Sequence, residues 1–208
     1  MRRASLVVTL FFGKLILLYA LFLIPWPGVR DAYAAGFRAG GNFLFRTFGD
    51  SGRVYFEPMA IAGKGFDAYD TNVVIQNLGK GIRGAIPGIN SRLMGYLPTA
   101  FAASLILATP IPWRRRWIAL CLGAALMSGF AAFELWLRLL ETFSNPAEFS
   151  LYEWPAWGRT LLAAALAIVG KSPVTAYIAP VFVWIVVALR RDDIRRVLGE
   201  TSDRAARA

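Results

Sequence analysis

Long apolar runs flanked by arginine clusters constrain this chain more than anything else in it. The first, SLVVTLFFGKLILLYALFLIPW at residues 5 to 26, is close to the ~20 residues that a ~30 Å hydrocarbon core requires of a helix. Comparable runs occupy 92 to 113, 117 to 140 and 173 to 189. Arg2 and Arg3 precede the first, Arg114 to Arg116 separate the second from the third, and Arg190, Arg191, Arg195 and Arg196 follow the last. Arginine on alternate sides of successive apolar runs is the mark of cytoplasmic flanks. The sequence therefore predicts an all-α membrane protein of four transmembrane helices in a bacterial inner membrane, both termini cytoplasmic.

Composition agrees: 57% of the 208 residues are hydrophobic and 17% charged, with a mean hydropathy of +0.49. A net charge of +10 raises the question of nucleic acid, but its placement at the ends of apolar runs favours lipid, and no nucleic-acid partner is expected. The first run also resembles a secretion signal, with Ala32-Tyr33-Ala34 as a cleavage site. Its length exceeds the ~7–15 residues of a signal core and it ends well before that site, so an uncleaved anchor is expected.

Residues 27 to 91 form the largest segment outside these runs and should lie extracytoplasmically. Over 28 to 48, Val29, Tyr33, Phe37, Leu44 and Phe48 fall on one helical face, with Asp31, Arg38, Asn42 and Arg46 on the other. That pattern suits an interfacial helix or one packed on its own domain. RVYFEPM at 53 to 59 and TNVVIQN at 71 to 77 read as short strands, too few to bury a core of their own. Gly79 to Gly88 reads as a loop back to the bilayer, without a phosphate-loop pattern. Ser172-Pro173 offers a helix cap, so residues 159 to 170 are read as a separate outer or re-entrant helix and 191 to 208 as a charged cytoplasmic tail.

Histidine is absent and Cys121 is the only cysteine. Cys/His zinc sites, histidine-dependent catalytic pairs and intramolecular disulfides are thereby removed, and no cofactor, metal or catalytic residue is expected. Cys121, among apolar neighbours, reads as an inert core thiol. Glu57, Asp67 and Asp70 are the only acid/base candidates outside the apolar runs, and their spacing identifies no reaction; Asp70-Thr71-Asn72 suits turn chemistry before a strand.

Four polar residues carry the interest. Lys14 lies near the middle of the first run, where a charge either snorkels to the headgroups or finds a partner in another helix or subunit. Glu134, Arg138 and Lys171 share the outer boundary, where a Glu134 to Arg138 or Glu134 to Lys171 bridge would fasten the helices. A proton or ion relay is the alternative. Gly123, Ala125 and Gly129 are the residues small enough for close helix packing.

From Asp70 to Arg191 the chain resembles the small membrane proteins that accompany exosortases, bacterial transpeptidase-like enzymes that process C-terminally anchored proteins. The resemblance rests on Asp70-Thr71-Asn72, Gly95-Tyr96-Leu97-Pro98, Leu107-Ala108-Thr109-Pro110 with Arg114 to Arg116, and Ala179-Pro180 with Trp184. It implies a non-enzymatic accessory or scaffold protein, working with membrane lipid and with a partner membrane protein or further copies of itself. The exosortases use Cys, Arg and His, so a chain without histidine is an associate and not the enzyme. The competing reading is a small transporter or channel subunit, suggested by Lys14 and by a break at Gly170 to Pro173.

Overall fold

The computed structural model describes residues 2–62, 68–144, 151–152, 154–169 and 175–189, with side chains for these except at 2–7, 60–62, 87, 175 and 176. Their order is α1 (Arg2–Leu23), α2 (Val29–Phe45), β1 (Thr47–Phe48), β2 (Gly52–Ala62), β3 (Tyr69–Asn77), β4 (Ile82–Ile89), a π-helical turn (Arg92–Tyr96), α3 (Leu97–Ala108), α4 (Trp113–Ser144), α5 (Ala156–Val169) and α6 (Thr175–Ala188).

The four-span, all-α expectation is corrected on two counts. Among the described residues only α4 is long and apolar enough to cross a membrane. The other apolar stretches are Val8–Leu23 in α1, Arg92–Ala108, α5 and Tyr177–Ala188 in α6, all shorter. The second expected span illustrates why. Pro110 and Pro112 end it and a π turn occupies its start, leaving α3 twelve residues, ~18 Å at 1.5 Å per residue. Its apolar character has a different cause: α3 touches α1, α4 and α6 and buries Leu97, Ala100, Ala102, Leu105, Ile106 and Ala108. A helix that is apolar all round is satisfied by burial in protein as well as by lipid.

The second count is the sheet. β1 to β4 form a four-stranded antiparallel meander in sequence order, a fuller sheet than the two short strands read from the sequence. The glycine-rich stretch read as a loop is largely strand β4, paired with β3 from Asn77↔Ile82 to Thr71↔Ile89. The sheet shares its core with helices: Val54, Phe56, Val73 and Ile75 join Leu135, Leu139, Leu140 and Phe143 of α4 and Leu162 and Leu166 of α5. Alternation along β2 turns Val54 and Phe56 inward while Arg53 and Tyr55 remain partly exposed. Hence α4 serves two layers, its first half in the helix cluster and its second under the sheet.

Helix α2 packs on β2 and β3, and its polar face is the reason. With β1 only two residues long, the outer edge of β2 has backbone groups to satisfy. Asn42 meets them as a strand would: its Nδ2 donates to Phe56 O at 2.9 Å and its Oδ1 accepts from Phe56 N at 2.8 Å. Gly41 permits the approach, because a Cβ there would meet the Phe56 ring at 2.8 Å. Gly28 (φ 77°) starts α2 in a left-handed conformation that turns the chain after Pro25 and Pro27.

Large apolar side chains remain exposed on the helix cluster. They include Leu10, Ile16, Leu17 and Leu21 of α1, Ile118, Leu122 and Leu126 of α4, and Phe182, Ile185 and Val186 of α6. Cys121 lies on this outer surface of α4 and is exposed, which corrects its reading as a core thiol.

Candidate functional site

Polar chemistry concentrates where α1 ends, α2 begins and β3 meets the π turn. Asp70, 5% exposed, is second in β3 and directs its carboxylate at the turn. Oδ1 accepts from Thr71 Oγ1 at 2.9 Å and from Ser91 N at 3.2 Å, and Oδ2 accepts from Ser91 Oγ at 2.8 Å. The Asp70 backbone carbonyl accepts from Arg38 Nη1 at 3.3 Å, and Asn90 Oδ1 accepts from Leu93 N at 3.1 Å to open the turn. The carboxylate thus organises the return of the chain from sheet to helix cluster. Buried polar groups hold their place only when hydrogen-bonded in this way.

The π turn carries the rest. Arg92 Nη2 donates to Leu23 O at 2.9 Å and Tyr96 Oη to Phe22 O at 3.0 Å. Both satisfy carbonyls that the C-terminus of α1 leaves without intrahelical donors. Tyr33 of α2 stands edge-on to Tyr96, ring centroids 5.3 Å apart, and Gly95 leaves the space its hydroxyl enters. Ile24, Trp26, Arg30, Tyr33, Arg92 and Tyr96 line a small cleft in front of this junction, about 20 Å³ in volume.

Burial pushes the Tyr33 phenol up to about 12; the nearby Asp70 carboxylate adds to the rise, and a hydrogen bond with Thr99 opposes it. The unfolded chain releases this proton near pH 10 and the folded chain near 12. Stability from this group is therefore complete below pH 10 and is lost as the pH climbs through 12. In an ultraviolet titration of the phenols, Tyr33→Phe is expected to remove one late-ionising tyrosine. An unchanged count above pH 11 would contradict this environment.

At the far end of α3 a second network forms. Trp184 Nε1 donates to Thr109 Oγ1 at 2.8 Å, and Thr109 Oγ1 to Leu105 O at 2.7 Å. Arg115 Nη2 donates to Ala188 O at 2.8 Å, while Arg116 Nη2 reaches Thr109 O and Ile111 O, each at 3.2 Å. These arginines serve the C-terminal carbonyls of α3 and α6, which cations favour. Thr109 thus joins Arg116 and Trp184 in one network, and Arg115 caps the end of α6.

The residues singled out in the sequence fall as follows. Glu134, 8% exposed, accepts from Arg138 Nη2 at 2.8 Å and Nε at 3.2 Å, one helical turn away. Lys171 lies outside the described residues, as do Asp67, the Ser172-Pro173 cap and the tail after Arg190. Gly123 is buried at a close approach, its missing Cβ leaving room for Ile106 Cδ1. Ala125 and Gly129 face outward, and nothing lies within 4 Å of a Cβ built at Gly129. Glu57 is exposed and 4.0 Å from Arg83.

Lys14 is exposed, on the same face of α1 as Leu10, Leu17 and Leu21. The opposite face packs inward, Phe11 on Trp184 and Tyr19 on Phe101. Among the described residues none pairs with Lys14. Nor do three His, Cys, Asp or Glu side chains converge among them as a metal site. Sequence reasoning missed Asn42, Ser91 and Arg92; the partners of all three are distant in sequence.

The fold and site define an α+β chain whose sheet is clipped to a helix cluster with an apolar outer surface. No family model, curated protein or solved structure matches it.

Proposed function

We propose that this protein is a non-enzymatic, membrane-associated accessory subunit that docks a partner membrane protein through the outward face of α1. Lys14 carries the reading. It stands among exposed leucines, on a surface that in water would be a large unshielded apolar patch. In hydrocarbon, a lysine without a counter-charge is costly, by about 2.5–3.5 kcal/mol at mid-depth. A carboxylate on a neighbouring chain removes that cost, and the flanking leucines supply the packing. The length and apolar character of α4 and the exposed apolar side chains of α1, α4 and α6 support residence at a membrane.

The absence of a free catalytic constellation at Asp70 supports a binding role over catalysis: both carboxylate oxygens are engaged by hydrogen bonds within the chain. The resemblance to exosortase-associated proteins supports a place in a protein-sorting system of the bacterial inner membrane. Tagged protein extracted in a mild detergent should bring down a specific membrane partner. Lys14→Met should reduce recovery about tenfold, the loss of one charge-assisted contact of ~1.4 kcal/mol, while Lys14→Arg retains it. Equal recovery with Lys14→Met would refute the docking face.

A further inference from the structure

The corner between α3 and α4 carries positive charge that these helices do not balance. Arg114, Arg115 and Arg116 stand in the first turn of α4 between Trp113 and Trp117. No Asp or Glu occurs between Asp70 and Glu134, nor in α1 or α6. The start of α1, with Arg2 and Arg3, lies at the same end, since Phe11 packs on Trp184 and Trp184 is bonded to Thr109.

The three arginines of the corner differ in what they do. Arg115 and Arg116 reach carbonyls at the C-termini of α6 and α3, where a cation is favoured. Arg114 is exposed and sits at the N-terminus of α4, where the helix dipole opposes a cation and favours an anion. Its surroundings are amphipathic. Trp113 and Trp117 are 61% and 54% exposed and pack edge-to-face, with ring centroids 5.6 Å apart; the Arg116 guanidinium lies 5.1 Å from the Trp113 ring. Beyond the tryptophans the exposed face of α4 continues through Ile118, Leu122 and Leu126.

We propose that this corner binds the headgroups of anionic phospholipids, with Arg114 on the phosphate and Trp113 and Trp117 seated at the headgroup boundary. The inference rests on the membrane-associated reading above. Guanidinium, indole and aliphatic side chains follow one another along α4 in the order in which headgroup, interface and hydrocarbon follow one another in a bilayer. That series selects lipid over a nucleic acid, which offers phosphate without hydrocarbon.

The full chain, delipidated in detergent, is titrated with phosphatidylglycerol or phosphatidylcholine, and bound lipid is counted by native mass spectrometry. Phosphatidylglycerol should bind about tenfold more tightly, and Arg114→Gln should cut that preference about fivefold, the effect of one basic side chain at an anionic surface. The unfolding midpoint of Arg114→Gln should not move. Arg83→Gln, on β4, should keep the preference, which separates this corner from general surface charge. The preference should fade in 1 M salt, where the screening length is ~3 Å.

Equal affinity of the wild-type chain for the two lipids would overturn the proposal. So would a full preference in folded Arg114→Gln, an equal loss in Arg83→Gln, or tighter retention of single-stranded RNA than of phosphatidylglycerol. A chain recovered entirely in the soluble fraction of cells would instead refute the parent reading. Loss of partner recovery in Lys14→Met with no lipid preference would uphold that reading and sink this one.

Discussion

Asp70→Ala is expected to lower the thermal unfolding midpoint by roughly 10 °C, the equivalent of about 4 kcal/mol for a chain of this size. The substitution removes the acceptor of three hydrogen bonds and leaves Ser91 N, Ser91 Oγ and Thr71 Oγ1 buried. Each buried group without a partner costs about 1–3 kcal/mol. The two hydroxyls can turn toward other acceptors, whereas the Ser91 amide cannot, which holds the total toward the lower end of the ~3–9 kcal/mol that three such groups would cost. Asp70→Asn keeps an acceptor for the amide and should lose about half as much. Circular dichroism of the sheet in detergent reads both variants, and a midpoint unmoved in Asp70→Ala would show that the junction does not depend on the carboxylate.

Phe143→Ala should be comparably severe. Phe143 is fully buried where α4 passes under the sheet, and its ring stacks on Phe48 at 5.0 Å with 19° between planes. Truncating a buried phenylalanine costs about 3–5 kcal/mol, with ~0.5–1.5 kcal/mol more where an aromatic pair is broken. The backbone carbonyl of Phe143, which accepts from Leu151 N at 2.8 Å, is untouched, so the loss reports packing. Phe143→Leu should recover most of it. Leu122→Ala on the exposed surface of the same helix is the matched control and should shift stability in detergent by under about 0.5 kcal/mol.

What could be read from the sequence divides along the range of the interactions involved. Strands β2 and β3 announce themselves through local β-branched and aromatic alternation, and the Glu134 to Arg138 pair through four-residue spacing. Strand β4 does not: glycine and proline dilute its propensity, and its conformation is imposed by pairing with β3. The overcounted spans have a similar origin. Hydropathy registers that α3 avoids water but not whether lipid or protein replaces it, and α3 is enclosed by three helices. On the polar face of α2, Asn42 and Arg38 face backbone groups of β2 and β3. Those partners are 14 and 32 residues away, beyond any local pattern. Lys14 was conspicuous as the single charge within residues 5 to 26, whereas its outward direction follows from the packing of Phe11 and Tyr19.

That direction is the claim on which the function rests, and site-specific photocrosslinking in intact membranes tests it most directly. A photoreactive residue placed singly at Leu10, Leu17 or Leu21 should give one discrete protein adduct, lost when Lys14→Met is added and kept with Lys14→Arg. The same residue at Phe11 or Tyr19 should give none. Adducts of equal yield from both faces, or adducts from the outward face that persist unchanged in Lys14→Met, would contradict the proposal that α1 docks a partner through Lys14.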